Sequence, residues 1–543
     1  MRGGVGFVAL VVATMGLVLV RGSYHTTTPG AHKTAAEDHG RTVSRLQDLI
    51  KSRPRASLTI NRKPDQSHCA RPHDYKLGSL QLDFTSLTGV LGVRELTIDD
   101  IPPHLRKTAL LADDLAAIVD VQAMCSFETL VDALLPLGLI PAVVPEFKGI
   151  TVGGSLQGLA AESTSFRYGF VHDAIVGFEA LLGDGTVLWC SPTSNSELFY
   201  SLPGSFGSIA LCTRVHMLCI KAQPYVKVTC RQFGSQRECL AHMSGVQSAV
   251  KDRALSSTSP HMIEGLGFSK KSFASVEGTF VSSEELDPNI HLSRCNQWGY
   301  PWFYNQVREC LQPSRLWSWI LPWSTLSSSS SSSSFSSSSP SSSFLLPAKD
   351  YLFRHDRGSF WMASYRIPQF IGKWMGSLLD NSAMFRLANL LPWAFPKSQI
   401  VLQDFMLPAN HLESFFNQSN EIASVWPIWL LPMRNFNSHH QGRKEKGAVF
   451  GVPLGETGDL CNVGVYGIPS GSYNHRQANK LLEAVLFQHG GRKVYYSHSY
   501  YDRDFFYGTL YDGPRYFDLR ERYHANNKLP DIYEKVVVKN GKL

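Results

Sequence analysis

Val43, Leu46, Leu49 and Ile50 recur at helical spacing and predict a helix with one apolar stripe from Thr42 onward. Short apolar runs at Ser57 to Asn61 and Leu77 to Phe84 predict strands, with Arg62-Lys63-Pro64-Asp65 as a turn between them. Residues 86–114 show no period and are broken by Pro102-Pro103, so they are expected to be irregular. Ala116 to Val121 predicts a strand, and Ser126 caps a helix running from Phe127 to Leu135. Ile140 to Val144 predicts a further strand that stops at Pro145. Gly183-Asp184-Gly185 is a tight turn between the strands Ala174 to Leu182 and Thr186 to Cys190. A short helix from Ser194 to about Leu202 and a long strand, Ile209 to Ile220, complete this part. Beyond Ala222 the pattern predicts strands at Ile400 to Pro408, Val425 to Pro432, Asn462 to Tyr466 and Val494 to Tyr500. Helices are expected at Leu412 to Asn417 and at about His475 to His489. The fold class is α+β, its second domain built on a mainly antiparallel sheet.

Two segments stand outside this pattern. Val5 to Val20 is an apolar run of 16 residues between Arg2 and Arg21, which predicts a signal peptide or a membrane anchor over 1–22. Residues 23–40 follow as a tether. Between 327 and 343, 15 of 17 residues are serine, a low-complexity surface loop that cannot bury a core. The expected organisation is a first domain over 41–221 and a second over 222–543, with the serine tract inside the second.

Composition narrows the function. A net charge of +7 spread over 543 residues, with no basic run carrying interleaved aromatics, excludes nucleic acid as the expected partner. The ten cysteines show neither CxxC nor paired Cys/His spacing and are expected to be mostly buried free thiols. HExxH, Walker A and GxSxG signatures are absent. Gly153, Gly154 and Gly158 beside Ser163, Thr164 and Ser165 form a glycine-dense stretch next to a hydroxyl cluster. Such a stretch suits an anionic cofactor, because glycines admit a pyrophosphate to the backbone and free amides and hydroxyls neutralise it. An ordinary close-packed turn fits the same spacing. The stretch is not the Rossmann GxGxxG.

The run Thr151 to Ile220 resembles the cofactor domain of the vanillyl-alcohol-oxidase/cresol-methylhydroxylase-type FAD flavoproteins. The glycines carry the likeness, with Tyr168-Gly169, the segment Glu179 to Gly185, Ser196-Glu197-Leu198-Phe199-Tyr200 and Gly204-Ser205-Phe206-Gly207. Within that superfamily the chain is most similar to the delta(24)-sterol reductases. That similarity rests on Glu162 to Ser165, Tyr225-Val226-Lys227, Trp302-Phe303, Arg354-His355, the run Gln403 to Pro408, the run Trp426 to Leu430 and Tyr466-Gly467. One departure stands out: the family's first cofactor loop has Pro-Gly-Trp where this chain has Pro64-Asp65-Gln66, without the permissive glycine or the stacking aromatic.

The resemblance implies a two-lobed FAD-binding domain followed by a substrate domain. It implies reduction of the C24=C25 side-chain bond of a sterol, with non-covalent FAD as carrier and NADPH as reductant, at the endoplasmic reticulum membrane with the catalytic part cytosolic. An FAD-linked oxidase of an alcohol, sugar or lactone, or a flavin-free sterol-binding scaffold, are the alternatives. The expected cofactor residues are Thr151, Val152, Gly153, Gly154, Ser155, Leu156, Gln157, Gly158, Leu159, Ala160, Ala161, Glu162, Ser163, Thr164, Ser165, Tyr168 and Gly169. Alkene reduction needs a hydride on one carbon and a proton on the other. Tyr466 is the first candidate for the proton, followed by His355 and Asp404, and no metal is expected. Glu179 is expected to support the flavin structurally. Trp302, Phe303, Phe405, Trp426 and Trp429 are expected to line an apolar tunnel.

Overall fold

The computed structural model describes residues 31–61, 74–106, 114–251, 259–311, 341–375, 379–390, 399–436, 450–452, 459–470, 473–497 and 499–537. The apolar run Val5 to Val20, the Pro64-Asp65-Gln66 loop and the serine tract up to 340 lie outside these residues. Among the described residues no helix is long and apolar enough to cross a membrane.

Helix α1 (Ala31–Ser52) buries Val43, Leu46 and Ile50, the stripe set by their spacing. It begins inside the segment expected to be a tether, and His39 ties it down by meeting Glu179 Oε1 at 2.9 Å. Strands β1 (Leu58–Asn61) and β2 (Leu80–Asp83) then pair in parallel.

The first large sheet is built from β3 (Val90–Glu95), β4 (Leu115–Gln122), β5 (Leu139–Pro141), β6 (Ile175–Leu181), β7 (Val187–Cys190) and β8 (Leu211–Lys221). Its order is β3-β4-β8-β6-β7, β5 also pairing with β8, and every pairing is antiparallel. Strand β3 falls in the stretch expected to be irregular. It is an edge strand whose last three residues are exposed, so its inward and outward positions leave little period to find. Helix α2 (Phe127–Leu134) starts where its cap predicts, with Ser126 Oγ accepting the Thr129 N–H at 3.1 Å.

A second sheet takes β9 (Tyr225–Phe233), β10 (Met262–Ser269), β11 (Ser272–Val281), β12 (Ser341–Pro347), β13 (Val401–Pro408), β14 (Ile428–Arg434), β15 (Asp459–Gly467) and β16 (Arg492–Lys493). The order is β12-β9-β11-β10-β14-β15-β13-β16, antiparallel throughout. The 221/222 boundary falls between β8 and β9, which belong to different sheets.

Three details correct the sequence expectation. Ser341, Ser342 and Ser343, the end of the serine tract, pair with Arg231, Cys230 and Thr229 in the ladder. The strand expected at Val494 to Tyr500 is not formed: among the described residues Arg492–Lys493 pair with β13, and Ser499 makes only an isolated bridge with Val537. The Tyr500 N–H is taken instead by the Glu483 carboxylate at 3.2 Å, and the Ser497 side chain anchors the segment by donating to the Leu402 carbonyl. Residues beyond 500, grouped by sequence with the second domain, return to the first. Helix α3 (Gly513–Arg522) sends Tyr516 to Ser208 Oγ at 2.7 Å and Arg515 to Ser201 Oγ at 2.9 Å. Helix α4 (Ile532–Val536) follows it. The nine described cysteines are free, all but Cys310 buried.

Asp173 stores a pH dependence in this scaffold. Burial pushes its carboxyl up to about 8, against the opposing Phe170 N–H that it accepts at 2.8 Å. Between about pH 4 and 8 the unfolded chain therefore binds fewer protons than the fold at this group, and stability falls as pH rises. Asp173→Asn keeps an oxygen for the Phe170 N–H and removes the titration. It is expected to gain about 1–3 kcal/mol at pH 7.5, an advantage that vanishes near pH 4. Denaturant unfolding at the two pH values checks this; a variant no more stable than wild type at pH 7.5 refutes it.

Candidate active site

Alternation along the second sheet builds one wall of a cavity. Leu402, Asp404 and Met406 of β13 and Trp429, Leu431 and Met433 of β14 face it two residues apart, and Asn462 and Tyr466 of β15 face it on either side of Gly464. The cavity measures about 380 Å³ and continues into the first domain past Glu146, Thr151, Gln157 and Ala161, ending near Leu58, Lys76 and Lys535.

The register places the polar group at the centre of that wall. Asp404 pairs with Gly464 and Leu402 with Tyr466. A Cβ on Gly464 would sit 2.5 Å from the Tyr466 hydroxyl, so only glycine lets that ring lie back along its strand. The Tyr466 hydroxyl then donates to Asp404 Oδ1 at 2.6 Å, and Asn462 Nδ2 donates to the same oxygen at 2.6 Å. Burial raises the Asp404 carboxyl, while hydrogen bonds from Tyr466, Asn462 and Tyr496 pull the other way without cancelling it. Burial, reinforced by Asp404, pushes the Tyr466 phenol well above its usual range.

Beside this pair stands Phe360. Ser359 and Phe360 have φ of 47° and 63°, a left-handed pair of non-glycine residues worth about 1–3 kcal/mol of strain each. The turn delivers the Phe360 ring between His355, stacked at 4.1 Å, and Tyr466, at 4.9 Å.

Behind Phe360 lies a buried ion cluster that joins the two domains. Arg354 donates to Glu264 Oε1 at 2.7 Å and to Glu162 Oε1 at 2.9 Å. Glu264 Oε2 meets His355 Nε2 at 2.8 Å and accepts from Trp429 Nε1 at 2.7 Å. Burial alone would raise the Glu264 carboxyl, but Arg354 and His355 hold it well below the usual range. Burial lowers the His355 imidazole despite Glu264, which keeps it neutral. Glu162, Glu264 and His355 have the spacing of a metal triad. The Arg354 guanidinium bridges the two acids of that set, so the cluster is tied together as an ion-pair lock.

At the opposite end, Lys535 Nζ of α4 donates to the Phe206 and Gly207 carbonyls at 2.8 and 2.9 Å, and lies over Tyr75 at 5.5 Å. Lys76 Nζ donates to the Ile60 carbonyl at 3.0 Å. The cavity thus carries two lysines at its first-domain end and, on the second sheet, apolar and aromatic side chains around the Asp404, Asn462 and Tyr466 group, with Arg366 also on its lining.

Residues 101–191 match the FAD binding domain family. Over 436 residues the chain is 24% identical to the delta(24)-sterol reductase of Homo sapiens, covering 79% of this chain and 75% of that protein. The delta(24)-sterol reductase of Pisum sativum is 21% identical over 532 residues, 93% of this chain and 85% of its own. Cytokinin dehydrogenase 3 of Oryza sativa is similar over 98 residues only, at 31% identity. The chain is an FAD-dependent oxidoreductase, a homologue of the delta(24)-sterol reductases.

The residues of this oxidoreductase fit the dinucleotide, though not in the way the glycines suggest. Helix α5 (Val152–Gly158) carries Gly153 and Gly154, and its first amides are already paired. Val152 donates to the Cys125 carbonyl at 3.0 Å, Gly153 to Ala123 at 2.8 Å, and Gly154 to Thr151 Oγ1 at 3.3 Å. The glycines serve close approach instead: a Cβ on Gly153 would sit 2.7 Å from Ala123 Cβ. What remains for a ligand is the Ser155 hydroxyl and Gln157 Oε1, both buried on this wall without a partner among the described residues. Lys76 and Lys535, on the same lining, would supply the positive charge that a diphosphate needs.

Of the sequence candidates, Thr151, Gly153, Gly154, Ser155 and the run Gln157 to Ala161 line the cavity. Val152 and Leu156 face the core, Glu162 belongs to the ion cluster, and Thr164 Oγ1 is bound to the Ala142 carbonyl at 2.8 Å. Ser163, Ser165, Tyr168 and Gly169 stand behind the wall, the Tyr168 hydroxyl reaching Asp114 at 3.3 Å. Tyr466 and Asp404 are on the wall; His355 is screened from it by Phe360. Of the five tunnel aromatics only Trp429 lines the cavity. Phe405 points to the other face of β13, one residue out of phase with Asp404. Glu179 binds Thr213 Oγ1 at 2.6 Å and His39, bracing the scaffold. Sequence reasoning missed Lys76, Glu146, Phe360, Tyr496 and Lys535, which no motif marks.

Proposed function

We propose that this oxidoreductase reduces the C24=C25 side-chain bond of a sterol, with NADPH as reductant, at the endoplasmic reticulum membrane with its catalytic part cytosolic. One observation carries the reading: a single cavity runs from two lysines in the first domain to an apolar wall on the second sheet. Met384, Leu402, Met406, Leu431 and Met433 offer a rigid hydrocarbon a surface with few hydrogen-bond partners. FAD, held non-covalently along Lys535, Lys76, Ser155 and Gln157, supplies the hydride carrier when bound. The chain's own residues then exclude water from the alkene, seat the steroid, and present the polar group of Asp404, Tyr466 and Asn462. No second dinucleotide motif stands in the sequence, so NADPH and sterol use the flavin in turn.

Purified protein given FAD, NADPH and a sterol with a C24=C25 bond is expected to yield a product heavier by two hydrogens, and NADPH alone should bleach the flavin. Peroxide formation from an alcohol without NADPH would establish the oxidase instead. A colourless protein that takes up no FAD would establish the scaffold.

A further inference from the structure

Glu146 occupies the segment between β5 and α5 and lines the cavity, with Glu162 and Asp404 as its charged neighbours. Its neighbours hold it rigidly. Phe147 packs edge-on to Phe360 at 5.7 Å, and the Lys148 N–H donates to Asp356 Oδ1 at 3.0 Å. Lys148 Nζ is drawn off to Asp380 at 3.1 Å. Among the described residues no cation or side-chain donor pairs with the Glu146 carboxyl. Around it stand Glu162, Asp404, Tyr466 and Tyr496, and the Arg354 guanidinium already bridges two acids. Burial, then the repulsion of Glu162 and Asp404, raises the Glu146 carboxyl well above the ordinary range. That direction favours the neutral acid over the carboxylate.

The chemistry proposed above needs such a group. An isolated alkene has no carbonyl to accept electron density, so a proton must be committed to it as hydride arrives. A trisubstituted alkene takes that proton on its less substituted carbon, leaving positive charge on the tertiary one. The other acids of the site are poorly placed. The Tyr466 hydroxyl is directed at Asp404 at 2.6 Å, and His355 lies behind Phe360.

Resting on the sterol reading, we propose that Glu146 is the proton donor to the side-chain alkene, with the aromatic faces of Phe360 and Trp429 sheltering the charge that develops. The π pair forms a C–H bond as the Glu146 O–H bond breaks, leaving a carboxylate. The tertiary carbon receives a hydride, with both its electrons, from the reduced cofactor that NADPH maintains, and the carboxylate regains a proton from water. The two rings stand 5.2 Å apart, close enough to face one cationic centre together.

The test uses the full-length, flavin-loaded protein and the variants Glu146→Gln and Glu146→Asp. Glu146→Gln is expected to bind FAD and accept hydride from NADPH at the wild-type rate, while sterol turnover falls by about 100- to 10,000-fold. Glu146→Asp, retaining the acid one methylene further away, should recover part of it. Without any substrate, the infrared carbonyl band of a protonated carboxyl should be present at pH 7 in wild type and lost in Glu146→Gln. In heavy water, wild type should place one deuterium on the less substituted carbon. A wild type that leaves the alkene intact overturns the sterol reading and this assignment together. A wild type that reduces it, beside a Glu146→Gln variant within threefold of its rate or with an unchanged infrared band, overturns this assignment alone.

Discussion

Replacing Arg354 with methionine is expected to destabilise the protein by about 3–5 kcal/mol, a large part of the stability of an ordinary domain. Arg354 is 2% exposed and donates to both Glu162 and Glu264, so the variant leaves two buried carboxylates facing each other. The two acids come from different domains, and the loss should loosen the whole cavity. The pH dependence identifies the cause. In wild type Glu264 has a depressed pKa, so its contribution persists above the unfolded value and is lost only in strong acid. Without Arg354 burial prevails and its pKa rises above the unfolded one, so the variant's deficit should shrink as pH falls from 7.5 to about 5. Adding Glu264→Gln should restore part of the loss, a coupling that a double-mutant cycle measures. Denaturant midpoints across that pH range check all three. An Arg354→Met protein as stable as wild type at pH 7.5 would show that the cluster contributes nothing.

Charge reversal at Lys535 is expected to have the largest effect on the cofactor. Lys535 and Lys76 are the cations at the first-domain end of the cavity, and a diphosphate placed there needs both. Lys535→Glu turns an attraction into a repulsion and should weaken FAD binding by at least about 100-fold, or about 2.7 kcal/mol. Lys535→Arg keeps the charge and should stay within about threefold. The lysine also clasps the Phe206 and Gly207 carbonyls, so unfolding curves of the apoproteins belong beside the flavin titration. Unchanged affinity in a folded Lys535→Glu would move the phosphate end elsewhere.

Much of the scaffold was legible because it is written locally. The Ser126 cap, the Gly183-Asp184-Gly185 turn and the apolar runs of β4, β8, β13 and β14 each depend on residues within one turn or one strand. The strand expected at Val494 to Tyr500 failed for the opposite reason: its β-forming composition is local, but the Glu483 carboxylate that takes its Tyr500 N–H and the Leu402 carbonyl that takes its Ser497 hydroxyl are distant in the chain. The glycine-dense segment lines the cavity, and its spacing left open a ligand-facing backbone and a close-packed turn. The partners of its amides, Ala123 and Cys125, could be known only from the packed fold.

The sequence by itself determined the α+β alternation, and it marked Thr151, Gly153, Gly154, Ser155 and Gln157, which line the cavity. The tertiary structure alone decided which carboxyl stands unpaired in the cavity, which phenol is committed to Asp404, and that a lysine eight residues from the C-terminus reaches the far end. The physical reason is one of range. Periodicity and capping act over a few residues, whereas burial and charge pairing depend on side chains that register and packing bring together across more than 300 positions of the chain.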